Sequence, residues 1–165
     1  MYAQTGVFVD FSTNSTAGWQ GTNPAQFVLA GISQTLRINC SSTGYENLEF
    51  SFPSINISAN PVVSLKVQAP SSFTLRVDLK DINGRYTNAN PVQQTVTASA
   101  GFVTYTFNFS GRFNQTYPTS ATVDPTKIIA ATFFFNPGSG YTNTVYFDDV
   151  TVGDPIPLIP CREKF

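Results

Sequence analysis

Apolar and polar residues alternate with a period of two through most of the chain, in segments bounded by Gly, Pro, Asn and Ser. This alternation predicts β-strands, and no segment keeps a helical period. Ten strands are predicted, at Gly6–Phe11, Gln26–Leu29, Thr35–Cys40, Glu46–Phe52, Val62–Ala69, Ser72–Lys80, Val92–Thr97, Phe102–Asn108, Ile128–Asn136 and Thr144–Val152. Because ten strands exceed what one twisted open sheet usually holds, the pattern predicts an all-β, two-sheet antiparallel β-sandwich.

The alternation also assigns side chains to faces. In Ser72–Lys80 one set of residues is apolar and predicted to face the core, namely Phe73, Leu75, Val77 and Leu79. The other set is predicted to face solvent, namely Thr74, Arg76, Asp78 and Lys80. Val62–Ala69 and Phe102–Asn108 repeat the pattern, and we expect the threonines of Phe102–Asn108 to share one outer face with Arg76, Asp78 and Lys80.

Three segments depart from simple alternation. Thr132–Phe135 is apolar at consecutive positions, as in a central strand covered on both sides or bent by a bulge. The turn residues Asn136–Gly140 predict a hairpin between that strand and the last one. Residues 1–153 are therefore read as one sandwich domain, and residues 154–165, which are rich in proline, as a linker or tail.

Composition narrows the class of partner. Charged residues make up 12% of the 165 residues, against roughly 25% in soluble proteins, and the formal charge is -1. The polar surface is therefore built from Ser, Thr, Asn and Gln, which bind hydroxylated ligands without attracting phosphates or anionic lipids. The cations are scattered, and no run of about 18 apolar residues is present, so nucleic acid and membrane are not expected partners.

The inventory of catalytic groups is short. The chain has no histidine, which excludes Ser-His-Asp and Cys-His machinery. Glycoside hydrolysis needs only two facing carboxylates, but no suitable pair of acids stands out in the strands. We therefore predict no catalytic residues and no enzyme activity, and keep a jelly-roll polysaccharide hydrolase or lyase as a minor alternative.

Two cysteines, Cys40 and Cys161, lie far apart in the sequence. A zinc site needs about four nitrogen or sulfur ligands, which the chain does not offer. Either a disulfide pins the C-terminal tail to the Asn39–Glu46 loop, or the two thiols stay unpaired.

The last predicted strand carries an acid pair, Asp148 and Asp149, inside an apolar run. A carboxylate in such a setting must be solvated, paired or bound to a metal, because burying it alone is costly. Calcium takes six to eight oxygen ligands, and this chain is rich in carboxylate, carbonyl and amide oxygens.

Several motifs resemble one family when taken in order. They are Val9-Asp10-Phe11 followed by a polar loop and Trp19, the turn Asp81-Ile82-Asn83-Gly84, the strand Tyr105-Thr106-Phe107, and the closing Tyr146-Phe147-Asp148-Asp149-Val150. Together they resemble the β-jelly-roll carbohydrate-binding modules and their galactose-binding-like relatives, over roughly Val7 to Gly153.

The resemblance implies a structural calcium that ties the first strand region to the last strand. By position the implied ligands are Asp10 and Asp148 or Asp149, with loop carbonyls completing the shell. Ser12 departs from the pattern, because relatives commonly carry an acid there. The alternative is that Asp10 and Asp149 cap turns or pair with Arg or Lys.

Sugar binding requires an aromatic face and planar polar groups. Four tyrosines fall in predicted loops and are candidate binding residues, namely Tyr86, Tyr45, Tyr117 and Tyr141. The polar part of the site would be Arg76, Asp78 and Lys80. The competing interpretation is that the tyrosines pack on their own loops and that the three charged residues form a solvated face with a cross-strand salt bridge. Trp19 is predicted to pack between the sheets.

These observations predict a secreted, monomeric, non-catalytic carbohydrate-binding module for a polysaccharide of the β-glucan, cellulose or hemicellulose type. The resemblance implies that it is covalently linked to a glycoside hydrolase and targets that enzyme to its substrate. The main alternative is a structural or adhesive extracellular β-sandwich, whose outer sheet would have no groove and no aligned tyrosines.

Overall fold

The computed structural model describes residues 4–21, 28–40, 44–45 and 47–155. Thirteen strands lie within these ranges: β1 Gly6–Val9, β2 Trp19–Gly21, β3 Val28–Ile32, β4 Thr35–Asn39, β5 Asn47–Ile55, β6 Val62–Gln68, β7 Phe73–Asp81, β8 Val92–Val96, β9 Val103–Asn108, β10 Asn114–Gln115, β11 Ala121–Thr122, β12 Ile128–Phe135 and β13 Thr144–Gly153. All ten predicted strands have a counterpart. The sequence reading missed the three short strands β2, β10 and β11.

The strands form two main antiparallel sheets, which confirms the predicted all-β sandwich. The front sheet has the order β2-β5-β12-β7-β8. The back sheet has the order β3-β4-β13-β6-β9, and β1 pairs with β13 beside β4. A separate two-stranded ribbon joins β10 to β11. Apart from the consecutive pairs β3–β4 and β7–β8, neighbouring strands within each sheet come from distant parts of the chain, as in a jelly roll.

The core lies between the two sheets and follows the predicted alternation. The four inward residues of β7 are all buried, namely Phe73, Leu75, Val77 and Leu79. The inward residues of β6 meet them from the back sheet. Trp19 is also buried, and its ring stacks on Phe50 with 4.5 Å between centroids, so its predicted place in the core is confirmed.

The predicted central strand is also confirmed. β12 lies between β5 and β7, and its register shifts between Ile128 and Ala130, as a bulge requires. Thr132–Phe135 is thus part of a central strand, and the bulge lies before it, because the register of this segment with both neighbours is regular. Its alternation is hidden in the sequence because Phe134 is aromatic although it faces outward.

The predicted hairpin at Asn136–Gly140 is wrong. β12 belongs to the front sheet and β13 to the back sheet, so this turn carries the chain across the sandwich. Asn136 has a positive φ of 49°, and its side-chain oxygen accepts a hydrogen bond from the Thr74 amide at 2.7 Å. Turn chemistry predicted the reversal correctly, but it does not determine which sheet the next strand joins.

The predicted composition of the outer face is also wrong in one respect. β9 pairs with β6 in the back sheet, whereas Arg76, Asp78 and Lys80 lie on β7 in the front sheet. The threonines of β9 therefore lie on the opposite side of the molecule. Alternation within a strand assigns its two faces but does not say which strands are neighbours.

Cys40 is buried at the end of β4, and burial raises the pKa of its thiol to about 12. Cys161 lies outside the described residues, as does the tail beyond residue 155, so the disulfide and the linker stay predictions. Within the described ranges no helix is long and apolar enough to cross a membrane.

Candidate functional site

The outer face of the front sheet provides a floor made by three neighbouring strands. Phe134 on β12 lies between Asn47 on β5 and Arg76 on β7. Two residues earlier on β12, Thr132 lies between Glu49 on β5 and Asp78 on β7. These residues face outward because their neighbours along each strand fill the core.

Arg76 and Asp78 form a two-pronged ion pair on this floor. Arg76 Nε donates to Asp78 Oδ1 at 3.0 Å, and Nη2 donates to Oδ2 at 2.7 Å. The Arg76 side chain is 15% exposed and that of Asp78 is 3% exposed. Arg76 Cζ also lies 5.1 Å from the centroid of the Phe134 ring. The guanidinium is thus held in place by a carboxylate at one side and a ring beneath it.

Burial controls the electrostatics of this pair. It raises the pKa of Asp78, while the hydrogen bonds and charge of Arg76 act in the opposite direction. Both carboxylate oxygens of Asp78 already accept from Arg76. Asp78 therefore acts as an anchor for the guanidinium, and the remaining N–H groups of Arg76 are left to donate to a ligand.

Lys80 makes a second balanced pair at the edge of the floor. Its Nζ lies 3.5 Å from Glu49 Oε2 and 5.3 Å from the centroid of the Tyr86 ring. Burial opposes protonation of Lys80, but its contacts with Tyr86 and Glu49 outweigh burial, so its pKa is raised. Lys80 thereby supports the Tyr86 ring and stays charged.

The walls come from two loop segments that are tied together by Asn88. Its Oδ1 accepts from the Thr116 amide at 2.9 Å, and its Nδ2 donates to the Tyr117 carbonyl at 2.7 Å. The Tyr86 amide donates to Gln115 Oε1 at 2.8 Å. These bonds hold the segment that carries Tyr117 beside the segment that carries Tyr86.

Floor and walls enclose a groove of about 590 Å³, called here the tyrosine groove. Tyr45, Tyr86 and Tyr117 line it together with Arg76 and Asp78. Tyr45 is 67% exposed and Tyr117 is 77% exposed. The groove thus combines exposed aromatic rings with a fixed hydrogen-bond donor, which is the arrangement that hydroxylated rings require.

The structure places the predicted binding residues in three settings. Five of them line the groove, and Lys80 supports it from beneath Tyr86. Tyr141 is placed elsewhere, which corrects its expected surface position. It is 6% exposed, its ring lies 4.6 Å from that of Phe73, and its hydroxyl donates to the Ser71 carbonyl at 3.0 Å. A loop position in the sequence therefore did not mean an exposed ring.

Other groove residues were not anticipated, namely Asn47, Asn88, Thr116, Pro118 and Phe134. Phe134 could have been found, because it has the opposite alternation to Phe133 and Phe135 in a strand with two core-facing rings. The loop residues carried no such signal, since their position depends on contacts with distant segments.

The three acids proposed as calcium ligands each have another partner. Asp10 Oδ1 accepts from the Ser12 amide at 2.9 Å, and this bond lowers the Asp10 pKa. Asp148 Oδ1 accepts from the Asp149 amide at 2.8 Å. Asp149 Oδ2 lies 2.5 Å from Lys66 Nζ, in a turn of positive φ where the register of β13 against β6 shifts.

Electrostatics still links these acids. Burial raises the pKa of Asp148, and the charges of Asp149 and Asp10 act in the same direction. Among the described residues, however, no three acidic, cysteine or histidine side chains lie close enough together to hold one metal ion. As arranged, the side chains fit a capped turn and an ion pair, the alternative given above, better than a calcium shell. Calcium binding stays a prediction.

Comparison with known proteins supports the fold. The sequence matches no protein-family model and no curated protein. A solved family 29 carbohydrate-binding module in complex with mannohexaose is similar, with a TM-score of 0.57 and 11% identity over 92% of each chain. The family 11 carbohydrate-binding module from Clostridium thermocellum, in complex with a β-1,3-1,4-mixed-linked tetrasaccharide, has a TM-score of 0.59 and 12% identity. The alignment covers 94% of this chain and 99% of that one.

A solved exo-beta-agarase is also similar, with a TM-score of 0.61 and 14% identity over 92% of this chain. This chain spans 25% of that enzyme. The chain therefore has the β-jelly-roll fold of carbohydrate-binding modules, which confirms the resemblance noted in the sequence. At these identities the likeness concerns the fold.

Proposed function

We propose that this protein is a non-catalytic carbohydrate-binding module that holds a neutral polysaccharide in the tyrosine groove. The polysaccharide is of the β-glucan, cellulose or hemicellulose type. The module is secreted, acts as a monomer, and keeps an attached glycoside hydrolase close to its substrate by raising the local concentration of that enzyme.

One observation carries the proposal. Tyr45, Tyr86 and Tyr117 come from three separate segments of the chain and line one groove above a fixed Arg76. Tyrosine rings can lie against the C–H faces of sugars, while the guanidinium donates to hydroxyl groups. A groove open at the surface suits a long chain better than a closed pocket would.

The groove also separates this function from its rivals. A structural or adhesive sandwich needs no aligned tyrosines over its outer sheet. A glycosidase needs two carboxylates facing each other across the scissile bond. Among the described lining residues only Asp78 carries a carboxylate, and both of its oxygens are engaged by Arg76. The other acid of the floor, Glu49, is paired with Lys80. This arrangement supports binding without chemistry.

Affinity gel electrophoresis tests the proposal. The folded protein, with calcium added, is run against soluble cellulose derivatives, mixed-linkage β-glucan, xylan, mannan and galactan. We expect retardation by at least one polymer. Tyr86→Ala and Tyr117→Ala should each weaken it about fivefold, because a ring contact contributes about 1 kcal/mol.

Phe8→Ala is the matched control. Phe8 is an aromatic residue that is 49% exposed on β1 of the back sheet, away from the groove. Its removal should leave retardation unchanged. No retardation of the folded protein by any of the polymers, or equal losses in Phe8→Ala and Tyr86→Ala, would refute the proposal.

A further inference from the structure

A second cavity, of about 630 Å³, lies at the back sheet and is called here the back cavity. Strand residues Gln68, Thr144 and Tyr146 line it together with the loop Ala98–Ala100. The tyrosine groove lies on the front sheet, so the two sites are on different sheets of the sandwich.

Tyr146 is the aromatic residue of the back cavity. Val145 and Phe147 on either side of it fill the core, so Tyr146 faces outward from β13. In the sheet it lies between Gln68 on β6 and Arg37 on β4. Its ring is half-buried, and its hydroxyl has no hydrogen-bond partner within the described ranges. The ring therefore supplies an apolar face with an unused polar group.

The loop wall of the back cavity is fixed in place by hydrogen bonds to β6 and the residue that follows it. Gln68 Nε2 donates to the Ala100 carbonyl at 2.7 Å. The Ser99 amide donates to the Ala69 carbonyl at 3.0 Å. On the opposite side, Thr144 Oγ1 donates to Asn39 Oδ1 at 2.9 Å. A cavity whose walls are already ordered loses little conformational entropy when a ligand binds.

The side chains that line the back cavity indicate which class of ligand it would bind. None of the described lining residues is charged: they offer a phenol ring, small apolar groups, two hydroxyls and an amide. An aromatic face bordered by uncharged polar groups suits a neutral hydroxylated ring.

We propose that the back cavity is a second carbohydrate site, which binds one or two rings of a neutral glycan against Tyr146. This inference goes beyond the proposed function, since it rests on different residues in a different sheet. With sites on both sheets, one module could bind two polysaccharide segments at once, and each would raise the effective concentration of the other.

Nuclear magnetic resonance can observe the two sites separately in the unmodified protein. The amides of Ala98, Ser99, Ala100 and Tyr146 report on the back cavity, and those of Tyr86, Asn88 and Thr116 report on the tyrosine groove. The 15N-labelled protein is titrated with cellohexaose, mannohexaose and a mixed-linked tetrasaccharide at millimolar concentrations. We expect saturable shifts in both groups, with different midpoints because the sites are independent.

A blocking variant tests the assignment without disturbing the sheet. Ala98 is exposed in the loop, so Ala98→Trp should fill the back cavity and abolish its shifts while the groove shifts persist. Ser110→Trp, at an exposed turn after the far end of β9, is the matched control and should change neither group. Tyr86→Ala should move the midpoint of the groove shifts to a higher ligand concentration and leave the back-cavity shifts unchanged.

Each outcome decides one of the two proposals. Shifts confined to the groove amides would overturn the second site and leave the proposed function standing. Shifts confined to the back cavity would support the second site and overturn the tyrosine groove. If no oligosaccharide shifts either group, both proposals fail.

Discussion

The two outer faces of the sandwich carry similar residue types in different surroundings. On each face a tyrosine lines a cavity, and two outward-facing side chains form an ion pair. On the front face the side chains of Arg76 and Asp78 are 15% and 3% exposed, whereas on the back face those of Lys66 and Asp149 are 43% and 35% exposed. The ion pair on the front face is therefore nearly desolvated, whereas the ion pair on the back face is exposed to solvent.

Loops account for this difference. On the front face, the segments that carry Tyr86 and Tyr117 line the groove over Asp78, and Asn88 holds them together. On the back face, Asp149 lies at a bulge where β13 departs from its register with β6. A sheet face thus becomes a groove when loops from distant parts of the chain are fixed over it. Those loops exclude water from the ion pair, which strengthens the attraction between its charges.

Removal of one partner from each pair should give the largest contrast. Arg76→Met leaves the buried Asp78 carboxylate without a partner, which should cost about 3–5 kcal/mol in free energy of unfolding and lower the Tm by roughly 10 °C. Binding of the polysaccharide in the tyrosine groove should also be lost. Lys66→Met should change the Tm little, because the pair is exposed to solvent. Thermal unfolding of both variants measures the difference, and equal shifts would show that the two faces do not differ in this way.

Acid should weaken binding before it weakens the fold. The pKa of Asp78 is raised by burial, so this carboxylate gains its proton at a higher pH than an ordinary aspartate does. It then loses its charge towards Arg76, and affinity should fall several-fold as the pH drops through that raised pKa.

The effect on stability has the opposite sign for this group. Because the folded protein holds the proton more tightly than the unfolded chain, protonation of Asp78 does not favour unfolding. The pKa values of the exposed Asp10 and Asp124 are lowered, so the ionised forms of these two residues stabilise the folded protein. That stabilisation is lost only as the pH falls through those lower pKa values. When both are measured from neutral pH to about pH 4, the affinity should therefore begin to fall at a higher pH than the Tm does. In Asp78→Asn the affinity should lose this acid dependence, and an unchanged pH profile in that variant would contradict the assignment.

Calcium should have the smallest effect, and it concerns the back face. We propose that an ion held by Asp10 and Asp149 together with backbone carbonyls would compete with Lys66 for Asp149 Oδ2. Calcium should then raise the Tm slightly relative to chelator, and Lys66→Met should enlarge the difference, because a ligand bound only by the folded state stabilises it. Melting curves that coincide in calcium and in chelator, for both proteins, would reject the site.

The sequence predicted the floor of the groove better than its walls. Strict alternation in β7 placed Arg76 and Asp78 on one outer face, because side chains in a strand must point to opposite sides. The pairing of strands in the front sheet is non-local, so alternation did not show that Phe134 lies beside Arg76 or that the β9 threonines lie on the back sheet. Tyr141 resembled the groove tyrosines in sequence and is buried against Phe73.

The back cavity was not anticipated at all. Tyr146 was read only as part of the motif around the acid pair, and its outward direction becomes meaningful when the loop at Ala98–Ala100 lies beside it. That proximity depends on the hydrogen bond that Gln68 donates to Ala100 and on the one that Ser99 donates to Ala69, and no local pattern encodes either of them.

The two ion pairs of the front sheet determine how binding in the tyrosine groove should respond to dissolved salt. Arg76 is neutralised by Asp78 and Lys80 by Glu49, so these four side chains carry no net charge. Dissolved salt weakens attraction between separated surface charges, but it has little influence on contacts between neutral groups. Binding of an uncharged polymer should accordingly be the same in fresh and in saline water, and the module would stay attached as ionic strength varies.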